Sequence, residues 1–144
     1  MDPDDPIVKL CARGMEEESK GNIDAAAELF GQAWTQCTND FERCIAAHYV
    51  ARHQHSAEGA LHWNQEAMDC AHRLSDTSAA EFLPSLYLNL GKSHEDLGNA
   101  EKAHELYKCA AERLGALPAG SYRDIVGDGI KRALQRVGSG MELL

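Results

Sequence analysis

Two runs, Gly21-Asn22-Ile23-Asp24-Ala25-Ala26 and Gly98-Asn99-Ala100-Glu101-Lys102-Ala103, constrain this chain more than any other feature. Each is followed at the same offsets by an aromatic residue and an alanine: Phe30 and Ala33 in the first, Tyr107 and Ala110 in the second. A weaker copy lies between them, His55-Ser56-Ala57-Glu58-Gly59-Ala60 followed by Ala67. A turn, a small residue, a large ring and another small residue, recurring in register, is the pattern of helical hairpins that pack on one another. No strand alternation competes with it, and the last segment places Val126, Ile130, Ala133, Leu134 and Val137 at helical spacing.

Caps and breaks divide the chain into seven expected helices. They run from about Pro6 to Ser19, Asp24 to Cys37, Phe41 to Gln54, Ala57 to Leu74, Ala79 to Leu97, Ala100 to Leu114 and Tyr122 to Val137. Asp5, Asp40, Ser56 and Ser121 are the expected caps, with Pro6 as a first helical residue. Ser78-Ala79-Ala80-Glu81 has the form of a capping box, which predicts a long fifth helix bent at Pro84. Gly127 and Gly129 weaken the last helix by roughly 1 kcal/mol each relative to alanine. The stretch 138–144 reads as a flexible tail.

From Ala26 to Ala60 is 34 residues, and from Ala60 to Ala103 is 43. The shorter interval is the period of the tetratricopeptide repeat, and the residues resemble that family. Tyr87, Leu90, Gly91, His94, Gly98, Ala103, Tyr107 and Ala110 stand at its packing positions in the third unit. Leu10, Gly14, Gly21, Ala26, Phe30 and Ala33 do so in the first, with Arg13 and Glu17 where the family is apolar. In the middle unit His48 and Asn64 replace a small residue and an aromatic. The resemblance implies an all-α fold: a right-handed superhelix of three hairpins (about 7–38, 41–74 and 79–115) and a capping helix at 121–137, in one domain over 1–137. It expects Gly91 and Ala103 to set a close helix crossing, with Tyr107 and Ala110 against the neighbouring hairpin.

The resemblance also implies a peptide or helix bound in a concave groove lined by the first helix of each hairpin. Carried over position by position, the groove residues are Cys11, Met15 and Ser19, then Ile45, Tyr49, Arg52 and His53, then Asn89, Lys92 and Asp96. Of these, Met15, Tyr49, Arg52, His53, Asn89, Lys92 and Asp96 are the candidate partner-binding residues. Cys11, Met15 and Ala46 occupy positions where chaperone-binding members carry a carboxylate clamp, so chaperone tails are not expected. Arg52 and Lys92 are expected to share an acidic group of the partner; the alternative is that Arg52 pairs with Asp96 or Glu95.

Charge and composition narrow the function further. The net charge of −9 argues against general nucleic-acid binding. Residues 1–72 carry 13 acids against 5 bases, whereas 73–144 carry 10 against 9. No apolar run approaches the roughly 20 residues of a membrane span, and the acidic start Met1–Pro6 has the features of neither a signal nor a transit peptide. A cytoplasmic protein is expected. Its five cysteines, Cys11, Cys37, Cys44, Cys70 and Cys109, form no C-x-x-C pair; Cys11, Cys44 and Cys109 fall within expected helices among apolar neighbours and read as small buried hydrophobes.

Glu58, His62 and Glu66 share a helix face, which reads as an ordinary polar face in preference to a metal site; His48 reads as a core histidine. Trp34 and Trp63 read as packing residues. No nucleophile motif or phosphate loop is present. The expectation is therefore a non-catalytic protein–protein interaction module, an adaptor or regulator without cofactor or metal. The alternatives are a self-associating structural protein, such as a homodimer, and a metal- or small-molecule-responsive regulator.

Overall fold

The computed structural model describes residues 2–142, and at 76 and 139–142 the backbone only. The chain forms two compact units, Met1–Leu74 and Ser75–Leu144. The N-terminal unit holds α1 (Pro6–Ser19), α2 (Ile23–Gln36), α3 (Asp40–Val50) running into a 3-10 turn at Ala51–His53, and α4 (Ala57–His72). The C-terminal unit holds α5 (Asp76–Ala79), α6 (Leu83–Asp96), α7 (Ala100–Arg113) with a 3-10 turn at Leu114–Ala116, and α8 (Ser121–Glu142). The fold is all-α among the described residues.

Local chemistry sets these boundaries. The Asp5 carboxylate accepts the amide protons of Ile7 and Val8 at 2.8 and 3.3 Å, and Pro6 loses nothing at the first helical position. Ser56 caps α4 through the Gly59 amide at 3.0 Å. At α3 the cap is Asn39, not Asp40: its side-chain oxygen accepts from the Glu42 amide at 2.8 Å. The Glu42 carboxylate returns to the backbone and hydroxyl of Thr38 at 2.8 and 2.9 Å, so the box closes one residue early. Asp40, freed from capping, binds Arg43 and Arg73 at 3.3 and 3.1 Å.

The long bent helix expected after Ser75 is not formed. Within a continuous helix the Pro84 ring would meet the carbonyl of residue 80. The chain instead makes the single turn α5, breaks at 80–82, and places Pro84 in the first turn of α6. Ser75, not Ser78, turns inward on this short helix, accepting the Ser78 amide at 3.3 Å. α8 begins at Ser121 itself and runs to Glu142, beyond the expected end at Val137. The remainder of the expected tail, residues 143–144, lies outside the described residues.

The two units share one local design. After α1, Gly21 takes φ +84°, and after α6, Gly98 takes the same value. Both close the helix with the paired bonds of a Schellman motif: Asn22 N–H to Glu17 C=O at 2.9 Å, and Asn99 N–H to His94 C=O at 2.8 Å. Seven residues before each of these turn glycines lies a glycine against a ring. A Cβ on Gly91 would stand 2.5 Å from Cε1 of Tyr107, and one on Gly14 would be closer still to Cε1 of Phe30. Phe30 and Tyr107 are both fully buried. Tyr107 thus packs within its own hairpin on Gly91. Ala103 belongs to a cluster with Tyr107, Ala133 and Val137, against α8.

α8 covers the α6–α7 pair as its apolar stripe predicts. Val126 and Ile130 pack with Ala110 and Leu117, and Leu88, Leu114 and Leu134 line the contact. Its glycines have a packing reason. A Cβ at Gly127 or Gly129 would sit 3.1 Å from Leu114 or 3.2 Å from Leu88, so both allow close approach. Removing residues 121–144 strips this cover. The truncated chain should aggregate or dimerise on sedimentation analysis, because the exposed leucines need a partner; a monomeric truncation of unchanged stability would contradict the packing role.

Candidate partner-binding surface

The N-terminal unit gathers four of the expected binding residues around one ring and one carboxylate. Phe30 of α2 lies on Gly14 and is stacked by Tyr49, with ring centroids 5.0 Å apart and planes 20° apart. His53 stacks on it too, at 5.9 Å and 4°. Tyr49 and His53 stand one helical turn apart on the end of α3, which is why both reach the same ring. The Tyr49 hydroxyl donates to Sδ of Met15 on α1 at 3.2 Å. The Arg52 guanidinium lies over the Tyr49 ring at 5.5 Å, a cation–π contact.

Glu18 of α1 holds the other end of this group. Its Oε1 faces Arg52 Nη2 at 3.2 Å, and its Oε2 faces His53 Nε2 at 2.6 Å. The Glu18 side chain is only 13% exposed, that of His53 17% and that of Arg52 44%. The carboxylate and the imidazole are therefore sheltered, and the guanidinium reaches solvent. Met15 is 45% exposed. The result is a half-exposed surface of thioether, phenol and guanidinium, fixed from below by a buried ring.

The other three residues lie on α6 in the C-terminal unit. Asn89 is half-buried, and Lys92 is paired with Asp96 on the next turn at 2.5 Å. The carboxylate that Arg52 meets is Glu18, on α1 of its own unit. Glu95 is bound by Arg136 Nε and Nη2 at 3.0 and 3.1 Å and by the Tyr107 hydroxyl at 2.7 Å. These bonds, Arg136 foremost, hold the Glu95 carboxyl below the usual range. Burial, and then that carboxylate, push the Tyr107 phenol up.

Sequence reasoning missed Glu18, and named Glu95 only as an alternative partner of Arg52. The available signal was their shared place, three residues before Gly21 and Gly98. In each unit this acid, on α1 or α6, meets an arginine, Arg52 in the 3-10 turn after α3 or Arg136 on α8. Phe30 has no hydroxyl to match that of Tyr107, and in its unit His53 supplies the second bond to the acid.

The remaining candidates have packing partners. Trp34 and Trp63 meet edge to face at 4.9 Å and 86°, joining α2 to α4. His62 lies edge-on to Trp63 at 5.3 Å. Among the described residues no group of three histidine, cysteine or acidic side chains is placed to hold a metal ion. Cys11, Cys44 and Cys70 are buried and all five thiols are free; burial pushes Cys11 and Cys44 up to about 12. Arg13 and Glu17, the polar departures in the first unit, line a shallow depression of about 350 Å³ with Ala25, Glu28, Leu29 and Gln32. No described helix is long and apolar enough to cross a membrane. Comparison with protein-family models, with curated proteins and with solved structures found no match to this chain.

His48 stands edge-on to Tyr49 at 5.1 Å. Desolvation, and secondly the Arg52 charge, push its pKa down from 6.5 to about 4. The unfolded chain then takes up this proton first as pH falls. Stability contributed by the neutral ring is complete above about 6.5 and is lost toward 4, on the order of 3 kcal/mol in all. Denaturation followed from pH 7 to pH 4 should show this loss, and His48→Gln should reduce its slope; a slope unchanged in the variant would contradict the assignment.

Proposed function

We propose that this chain is a non-catalytic protein–protein interaction module, an adaptor or regulator built of tetratricopeptide-like hairpins. The observation that carries the reading is the Met15–Tyr49–Arg52 surface. Tyrosine and arginine are the residue types on which binding energy concentrates, because each offers a large contact area and directed bonds at low entropic cost. Here they are held before any partner arrives, Tyr49 by Phe30 and Met15 and Arg52 by Glu18. A peptide or short helix laid along the exposed faces of α1 and α3 would meet them without rearrangement.

The repeat-like reading of the fold has its own support. The positive-φ glycine, the glycine under a ring and the shared acid recur 77 residues apart, at Gly21 and Gly98, Gly14 and Gly91, and Glu18 and Glu95. In a right-handed superhelix of three hairpins, α8 would stand as the capping helix. Its exposed positions Asp124, Asp128, Lys131 and Gln135 are polar, as an end cap requires. Such a module, with net charge −9, fits a cytoplasmic setting.

The test is selection from a displayed random-peptide library, followed by measurement on variants. Recovered peptides should bind Tyr49→Ala about tenfold or more weakly while circular dichroism stays unchanged. Failure to enrich any peptide, or equal affinity for the variant, would remove this reading. Exposed Tyr122 and Ile125 on α8, 56% and 68% accessible, favour self-association as the second reading. A dimer in sedimentation equilibrium that Ile125→Asp dissolves would support it.

A further inference from the structure

We infer that α8 pairs antiparallel with α8 of a second copy of this chain, Asp128 of each copy meeting Arg132 of the other. The inference rests on the self-association reading and makes no use of the Met15–Tyr49–Arg52 surface.

The outer side of α8 has the spacing of a pairing seam. Ser121, Ile125, Asp128, Arg132 and Gln135 recur at intervals of four and three residues, and all five are exposed. The inner side, with Val126, Ile130, Ala133 and Val137, is taken by the rest of the unit. Ile125 is the most exposed large apolar side chain among the described residues, at 68%. In the N-terminal unit α3 and its turn show the matching side in a covered state. Tyr49, Arg52 and His53 reach the ring and the acid of their unit, and Ala133, Arg136 and Val137 do so in theirs, each 84 residues further on. In that register Asp128 corresponds to Cys44, which is buried in the unit where α4 packs on α3. On α8 the position is open.

Charge decides the occupant. Along this side the acids Asp124 and Asp128 come first and the bases Lys131 and Arg132 follow. Asp128 and Arg132 stand beyond the first and last turns of α8, where the helix dipole does not sort charges. Neither is in an ion pair with a described side chain. Two such helices laid antiparallel, with Asp128 opposite Arg132, make that contact twice about a two-fold axis, as a self-complementary interface requires. By the seam spacing Ile125 then lies opposite the methylenes of Gln135. A parallel pair would set Asp128 on Asp128 and Arg132 on Arg132. Like charges placed together suppress the wrong arrangement more strongly than an exposed pair favours the right one. The contact is narrow and, apart from Ile125, polar, so it belongs with small, transient interfaces.

The experiment is sedimentation equilibrium of the full chain, loaded from about 10 μM to about 1 mM, the affinity range of a weak contact. Circular dichroism confirms the fold of each variant. The wild type should associate to a dimer. Asp128→Arg alone and Arg132→Asp alone should each weaken association about tenfold or more. The double swap, Asp128→Arg with Arg132→Asp, should restore it. That recovery is specific to the antiparallel pair, since a parallel one keeps like charge on like. A wild type that is monomeric throughout would remove the self-association reading and this inference with it, leaving the side to solvent or to a different protein. A dimer that both single variants retain, or one that the double swap does not recover, would overturn the antiparallel contact and leave self-association standing.

Discussion

A large ring lying flat on a glycine is the contact on which both units depend. Phe30 on Gly14 and Tyr107 on Gly91 are fully buried rings that fit only because no Cβ is present beneath them. The contact fixes the distance between the two helices of a hairpin. It also presents the far face of the ring to a third helix. In the N-terminal unit that third helix brings Tyr49 and His53, and in the C-terminal unit it brings Ala133 and Val137. A glycine inside a helix costs roughly 1 kcal/mol relative to alanine. Burial of an aromatic side chain returns more than that, at about 25 cal/mol per Å² over 150–250 Å².

The acid that ends the first helix links this packing to the surface. Glu18 and Glu95 occupy the same place relative to the following glycine, and each receives an arginine, from the turn after α3 or from α8. In the C-terminal unit the arginine, the carboxylate and a buried phenol form a closed set in which each polar group is satisfied. In the N-terminal unit a histidine takes the place of the phenol. That single difference exchanges a buried phenol for a sheltered imidazole. It also leaves Tyr49 and Met15 half-exposed beside the arginine. The same frame therefore gives one set closed by a buried phenol and one that leaves a thioether, a phenol and a guanidinium at the surface.

Most of the helices were legible because their ends are written in short-range chemistry. Asp5 with Pro6, Ser56, Gly21 and Gly98 each act within a few residues, and the structure uses them as read. Two errors came from competing local signals. Asn39 and Asp40 are both good caps, and Thr38 and Glu42 decided for Asn39. Ser78 to Glu81 has the form of a capping box, but a continuous helix beyond it would enclose Pro84, and the chain breaks instead. The surface was legible only in its residue types. Tyr49, Arg52, Met15 and His53 could be named from the repeat pattern, but Glu18 joins Arg52 and His53 from 34 and 35 residues away. No local rule selects Glu18 over its neighbours Glu16 and Glu17. The glycines of the ring contacts were read as close helix crossings, and the ring beneath them emerged only in three dimensions.

The ring-on-glycine contact is tested most directly by one substitution made at three helical glycines, with unfolding by denaturant as the readout. At Gly14 and Gly91 a methyl group would have to displace Phe30 or Tyr107, whereas at Gly31 of α2 a Cβ meets nothing within 4 Å. Gly14→Ala and Gly91→Ala should each destabilise the chain by about 1–3 kcal/mol despite the better helix propensity of alanine. Gly31→Ala should stabilise it by roughly 0.5–1 kcal/mol. Stabilisation by all three substitutions would contradict the account, since the rings would then not be resting on those glycines.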